Sequence, residues 1–248
     1  VEFKNVSLTY SGSGAPSVEG INFKAMKGQT IGVIGGTGSG KSSLVNLIPR
    51  LYDATQGEVL VDGVNVKDYD IEALRNKVGI VMQKAVLFKG TIRENMWMGK
   101  KGATDEQIDE ALEISQSKEF VDSKQGRLDY VIEQGGKNLS GGQRQRLTIA
   151  RAIVRKPDVL ILDDSASALD FATDAALRKA IRGMNNSPTV FIVSQRAASL
   201  MYADLIIVLD DGQVAGMGTH DELLANCEVY KEIYESQFKK ADSEGGVA

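Results

Sequence analysis

Gly35-Gly36-Thr37-Gly38-Ser39-Gly40-Lys41-Ser42 fits the pattern G-x-x-x-x-G-K-[ST] throughout. Glycines let a backbone curl until successive N–H groups face one point, which suits phosphate oxygens. Lys41 would reach the β- and γ-phosphates of a nucleotide, and the Ser42 hydroxyl is a hard oxygen ligand of the kind Mg²⁺ takes. Ser43 continues the same cradle. A second group is Asp163, which ends the apolar run Val159–Leu162. A carboxylate at the carboxyl end of a parallel strand meets the crevice where nucleotides sit, and would hold Mg²⁺ through water. A third is Leu139-Ser140-Gly141-Gly142-Gln143, where a Ser and two small residues open a helix and form another anion site. One nucleotide does not need two such sites from one chain.

The elements around these residues have the right kinds and order. Thr30–Ile34 reads as a short apolar strand before the glycines, and Lys41–Leu51 as a helix after them, kinked or ended by Pro49. Residues 1–33 alternate with period two and read as antiparallel strands, and strands return over 57–82. Residues 104–124 and Gly142–Arg155 read as helices. Val159–Leu162 and Val190–Val193 have the continuous apolarity of buried parallel strands. The reading is α/β: a phosphate-loop core with a parallel sheet, an N-terminal antiparallel β subdomain and an inserted helical subdomain. Its expected boundaries are 1–90 and 157–235 for the core, 91–156 for the insertion carrying Ser140, and 236–248 for a polar tail. His220, the single histidine, lies in Thr219-His220-Asp221-Glu222, a capping box that starts a helix.

The 248 residues carry a net charge of −4, which gives no reason to expect nucleic-acid binding. The single cysteine, Cys227, leaves no internal disulfide and fits a reducing compartment. No apolar run approaches the ~18 residues that span a bilayer. The chain opens at Val1 directly in strand-like alternation, so a fragment is expected, with any membrane region outside it.

The pentapeptide Leu139–Gln143, following the phosphate loop at this spacing, resembles the signature motif of ATP-binding cassette proteins. The resemblance covers nearly the whole chain, and the motifs occur in the family's order. It implies a head-to-tail dimer in which the signature of one subunit closes on the γ-phosphate of ATP held by the other. It further implies that Tyr10 stacks on adenine and that Gln83 touches Mg²⁺ and the membrane domain. Ser167-Ala168-Leu169-Asp170 would cross the dimer interface. Leu87–Asn95, with Glu133, resembles the exporter branch, which places the chain at the cytoplasmic face of a cell membrane beside a transmembrane domain.

Two positions depart from the family pattern. Asp164 stands where the family usually has Glu, the base that polarises the attacking water, and Gln195 stands where it usually has His, which contacts the γ-phosphate. Asp is one methylene shorter, and Gln carries neither proton nor positive charge. Both changes fall on one nucleotide, so binding is expected to survive and hydrolysis there to be slow. A homodimer would repeat both defects, so a heterodimer with one competent site is the expected assembly. The alternatives are a non-hydrolytic, ATP-gated dimerisation module and a soluble cassette protein of translation or DNA repair.

Overall fold

The computed structural model describes residues 1–165 and 169–244. In chain order its elements are β1 (Glu2–Leu8), β2 (Val18–Lys24), β3 (Thr30–Gly35), α1 (Lys41–Asn46), β4 (Gln56–Val61), β5 (Val64–Asn65), α2 (Ile71–Lys77) and β6 (Val78–Val81). There follow β7 (Gly90–Thr91), α3 (Ile92–Trp97), α4 (Asp105–Ile114), α5 (Lys118–Asp122), β8 (Val131–Ile132), α6 (Gly141–Ile153), β9 (Val159–Asp163) and α7 (Phe171–Arg182). The chain closes with β10 (Thr189–Val193), β11 (Leu205–Asp210), β12 (Gln213–Gly218), α8 (His220–Asn226) and α9 (Glu228–Glu244). They fall into two units, one formed by Val1–Arg75 with the chain from Thr189 onward, the other by Asn76–Pro188.

The first unit holds two sheets. The N-terminal alternation makes an antiparallel sheet in the order β2-β1-β4-β5. Asn5 takes a left-handed backbone at φ +47°, and the pairing of β1 with β2 slips between Phe3 and Val6. This bulge explains why the buried apolar residues run Phe3, Val6, Leu8 instead of keeping strict period two. In the second sheet β11 and β10 both run parallel to β3, and β12 pairs antiparallel with β11. All six residues of β3 are buried, as its unbroken apolarity predicts. Phe23 meets Phe191 at 6.2 Å between ring centroids, tying the two sheets of this unit together.

The second unit pairs β6 with β9 in parallel, and α6 packs against β6. Leu147, Ile149, Ala150 and Ile153 on α6 are buried, the inward face of an amphipathic helix. Two arginines bind the helical part together: Arg93 pairs with Asp105 and Asp129, and Arg127 with Asp109 and Asp122. Among the described residues no helix is long and apolar enough to cross a membrane.

Local differences from the sequence reading have physical causes. The helix after the glycines ends at Asn46 and not Leu51, because the chain tightens to three-residue bonds, Leu47 N–H to Leu44 O and Ile48 N–H to Val45 O, ahead of Pro49. The helical stretch 104–124 is two helices, broken where Gln116 turns left-handed at φ +60°. Ile71–Lys77 is a helix within a region read as strands. Helix α9 continues through Glu244, past the start of the expected tail, since the chain from Glu228 to Glu244 holds no Gly or Pro to stop it.

Candidate functional site

In the first unit the glycine loop leaves the buried end of β3 and enters α1. Two of its glycines are obligatory. A Cβ on Gly35 would stand 2.1 Å from the carbonyl oxygen of Leu209, and one on Gly40 would stand 2.2 Å from that of Ser17, with Gly40 also at φ +91°. Gly36, Thr37 and Gly38 are exposed, while Ser39 is buried beneath them. The Lys41 ammonium folds back onto the loop, donating to the carbonyl oxygens of Gly35 at 2.9 Å and Gly36 at 2.5 Å. A cation held among backbone oxygens, with backbone amides beside it, is a device for gripping an anion. Ser42, at the start of α1, is exposed.

Tyr10 lies two residues beyond β1, half-buried, and its hydroxyl donates to Ser43 Oγ at 3.0 Å. Tyr52 packs against it edge-on at 4.9 Å and 83°. Tyr52 escaped the sequence reading, because nothing in its spacing marks an aromatic in the turns after α1. Gln195 follows β10, whose Val193 pairs with Val33 of β3, and Ser194 N–H donates to Val33 O at 3.1 Å. It therefore emerges from the same edge of the sheet as the glycine loop, with its side chain exposed. His220 sits in the expected capping box, with Thr219 and Glu222 exchanging bonds, and its Nδ1 lies 2.8 Å from the Tyr230 hydroxyl.

In the second unit Asp163 is the last residue of β9 and is 4% exposed. Asp164 follows in a left-handed backbone at φ +46°. Because β6 runs parallel beside β9, Gln83 leaves the same edge, and its Nε2 donates to Asp164 Oδ2 at 3.2 Å. Ser140 caps α6: its hydroxyl accepts from Gln143 N–H at 3.2 Å, and the Gln143 side chain accepts from Ser140 N–H at 3.1 Å. Leu139 is buried, and Arg144 donates to its carbonyl at 2.7 Å, fixing the entry to the helix. Asp170 caps α7, accepting from the Thr173 hydroxyl at 2.7 Å and from Thr173 N–H at 2.9 Å, and these bonds, the hydroxyl's first, hold its carboxyl below the usual range. Leu169 is buried. Ser167 and Ala168 lie outside the described residues. Asn95 is fully buried and closes the segment Leu87–Asn95 through bonds to Phe88 and Thr91, leaving Phe88 exposed. Glu133 is exposed, its N–H bonded to Asn138.

The first unit offers the Ser42 hydroxyl as a possible donor to a cation; the second offers the Asp163 carboxylate and the Gln83 amide oxygen. All are hard oxygens, which suits Mg²⁺ and not a thiophilic metal.

The family described as ABC transporter matches this chain over residues 18–167. An uncharacterised ABC transporter ATP-binding protein of Bacillus subtilis, YfiB, is 43% identical over 98% of this chain and 42% of its own length. A putative multidrug export ATP-binding/permease protein of Staphylococcus aureus is 38% identical over 96% of this chain and 41% of its own. Among solved structures, a bacterial Atm1-family ABC exporter with ATP bound matches with a TM-score of 0.90 at 32% identity, over 95% of this chain and 41% of that one. The chain thus spans about two fifths of the length of the relatives it matches.

Proposed function

The chain belongs to the ABC transporter family as its ATP-binding portion, and from that premise we propose that it binds Mg·ATP in a dimer of two such domains and drives an exporter. Tyr10 stacks on adenine through its π-face. The amides of Gly36–Ser39 receive the phosphates, and Lys41 passes from the carbonyls of Gly35 and Gly36 to the β- and γ-phosphate oxygens. Ser42, Asp163 and Gln83 would hold a Mg²⁺ carried in with the nucleotide, and the ion would supply neutralisation of the phosphate charge. Asp164 orients the attacking water, and Gln195 donates a hydrogen bond to the γ-phosphate.

This site works slowly. The Asp164 carboxylate falls more than ~1 Å short of a Glu carboxylate, and misplacement of that size costs ~10²-fold. Its acceptance of a hydrogen bond from Gln83 supports a second reading, in which the site holds ATP as a gate and does not hydrolyse it. ATPase activity of the assembled pair against the lone chain separates the two. Leu139–Gln143 completes the partner's site, Ser167–Asp170 lies along the interface, and the partner is a different chain with a competent site. The exposed segment around Phe88, with Glu133, meets a transmembrane domain at the cytoplasmic face of the membrane.

The observation that carries nucleotide binding is the glycine cradle closed around the Lys41 ammonium. Lys41→Ala removes a charge-assisted phosphate contact, worth ~1.5–3 kcal/mol. Titration with Mg·ATP should give at least ~10-fold weaker binding. Unchanged affinity would end the phosphate assignment.

A further inference from the structure

The segment Ser194–Ala197, which presents Gln195, is held from the far end of the chain. The Gln237 side chain of α9 donates from Nε2 to the Gln195 carbonyl oxygen at 2.7 Å and accepts at Oε1 from the Ala197 N–H at 2.9 Å. The rest of the segment is tied internally, with Arg196 N–H bonded to Ser194 Oγ at 2.9 Å. A primary amide offers a donor and an acceptor in a single plane, so it can close on a C=O and an N–H two residues apart. Ala197 is fully buried. Losing Gln237 takes away the partner of its N–H, and a buried donor without a partner is costly enough to move the loop.

Helix α9 is built to aim that amide. Tyr230 is completely buried and bonded to His220 at 2.8 Å, which fixes the rotation of the helix. Gln237 lies seven residues on, two turns along the same face. Burial of Tyr230 therefore directs Gln237 at the loop.

We propose that Gln237 is a positioning residue for the γ-phosphate contact, through which the C-terminal helix sets how well the chain tells ATP from ADP. The proposal rests on the reading of Gln195 given above. Gln237 touches no phosphate; it fixes the backbone from which the exposed Gln195 side chain reaches one.

The test uses the full chain, with Mg·ATP and Mg·ADP affinities measured by titration and backbone amide exchange followed by NMR. In the parent the Ala197 amide is protected. Gln237→Met keeps the length and removes both bonds: Ala197 exchange should quicken at least ~10-fold. The preference for ATP over ADP should fall about fivefold, the worth of one hydrogen bond, with ADP affinity unchanged. Gln237→Glu keeps an acceptor for Ala197 and sets an oxygen against the Gln195 carbonyl, so the Ala197 amide should stay protected while the preference still falls. Gln195→Ala gives the loss expected when the γ-phosphate contact itself is gone. If it lowers the preference and Gln237→Met does not, the positioning role is overturned. An Ala197 amide no less protected in Gln237→Met than in the parent overturns it as well. If Gln195→Ala leaves the preference untouched, the γ-phosphate role of Gln195 fails and takes this inference with it. Equal loss of ATP and ADP affinity in Gln237→Met would mean a purely structural role.

Discussion

Asp164 occupies a left-handed backbone at φ +46°, a conformation in which Asp is several-fold enriched over most other side chains. A Glu there meets modest backbone strain, so the methylene can be restored without rebuilding the turn. Asp164→Glu with Gln195→His should return base and γ-phosphate contact together, raising turnover by roughly 10²-fold, while each single change gives less because the groups act as a unit. The measurement is ATPase rate of the isolated chain, which should be very low before reversion; a brisk rate in the unmodified chain removes the slow-site reading. What the sequence showed at this scale was uneven. Gly35–Ser42 could be read because the motif itself dictates geometry: the close approaches at Gly35 and Gly40 leave no room for any other side chain. The Gln83–Asp164 bond could not be read, since it joins loops 81 residues apart through side-chain directions. Gln237 was equally hidden, a polar residue in what read as a polar tail.

Elements were legible where local pattern and tertiary context agree. Strand β3 is buried on both faces and apolar without interruption, and Thr219 and Glu222 form the capping box their spacing implies. They were less legible where a single residue redirects the chain, as Pro49 and Gln116 do, or where a short helix such as α2 lacks apolar periodicity and buries only Leu74. The docking of α9 on α8 lends itself to a pH test. Burial pushes the Tyr230 hydroxyl up to about 12 from the ordinary value of about 10. The folded pKa is raised, so this contribution to stability is fully present below pH ~10 and is lost as pH climbs toward about 12. Across that window the unfolded chain releases a proton that the folded chain retains, and stability should fall by about 1.4 kcal/mol per pH unit. Denaturant titrations from pH 9 to 12 should show the fall, and Tyr230→Phe should flatten it relative to the parent. An identical slope in Tyr230→Phe would assign the effect to other groups.

At the scale of the molecule the chain sorts its chemistry into two units. Tyr10, the glycine loop and Gln195 belong to one; Gln83, Asp163, Asp164 and the Leu139–Gln143 helix start belong to the other. The order of apolar strand-like runs and helical stretches foretold the α/β class, but a partner's contribution is written in no single chain, and the asymmetry argued above must be read from function. If this chain's signature serves the partner's nucleotide while Asp164 serves its own, two mutations in one polypeptide strike opposite sites. Gly141→Asp places a negative charge against the partner's γ-phosphate, and like-charge juxtaposition costs several kcal/mol. The substitution does not act through the fold. A Cβ on Gly141 meets nothing nearer than the Arg144 guanidinium at 4.0 Å, and an acid in the first turn of a helix is favourable to it. Gly141→Asp should therefore fold normally and nearly abolish turnover by the assembled heterodimer under saturating Mg·ATP. Asp164→Ala in the same assembly should cost little if, as proposed, its site is slow already and contributes by holding ATP. If Asp164→Ala stops turnover as completely as Gly141→Asp, this chain's own site is the working one, and the division of labour between the two sites is reversed.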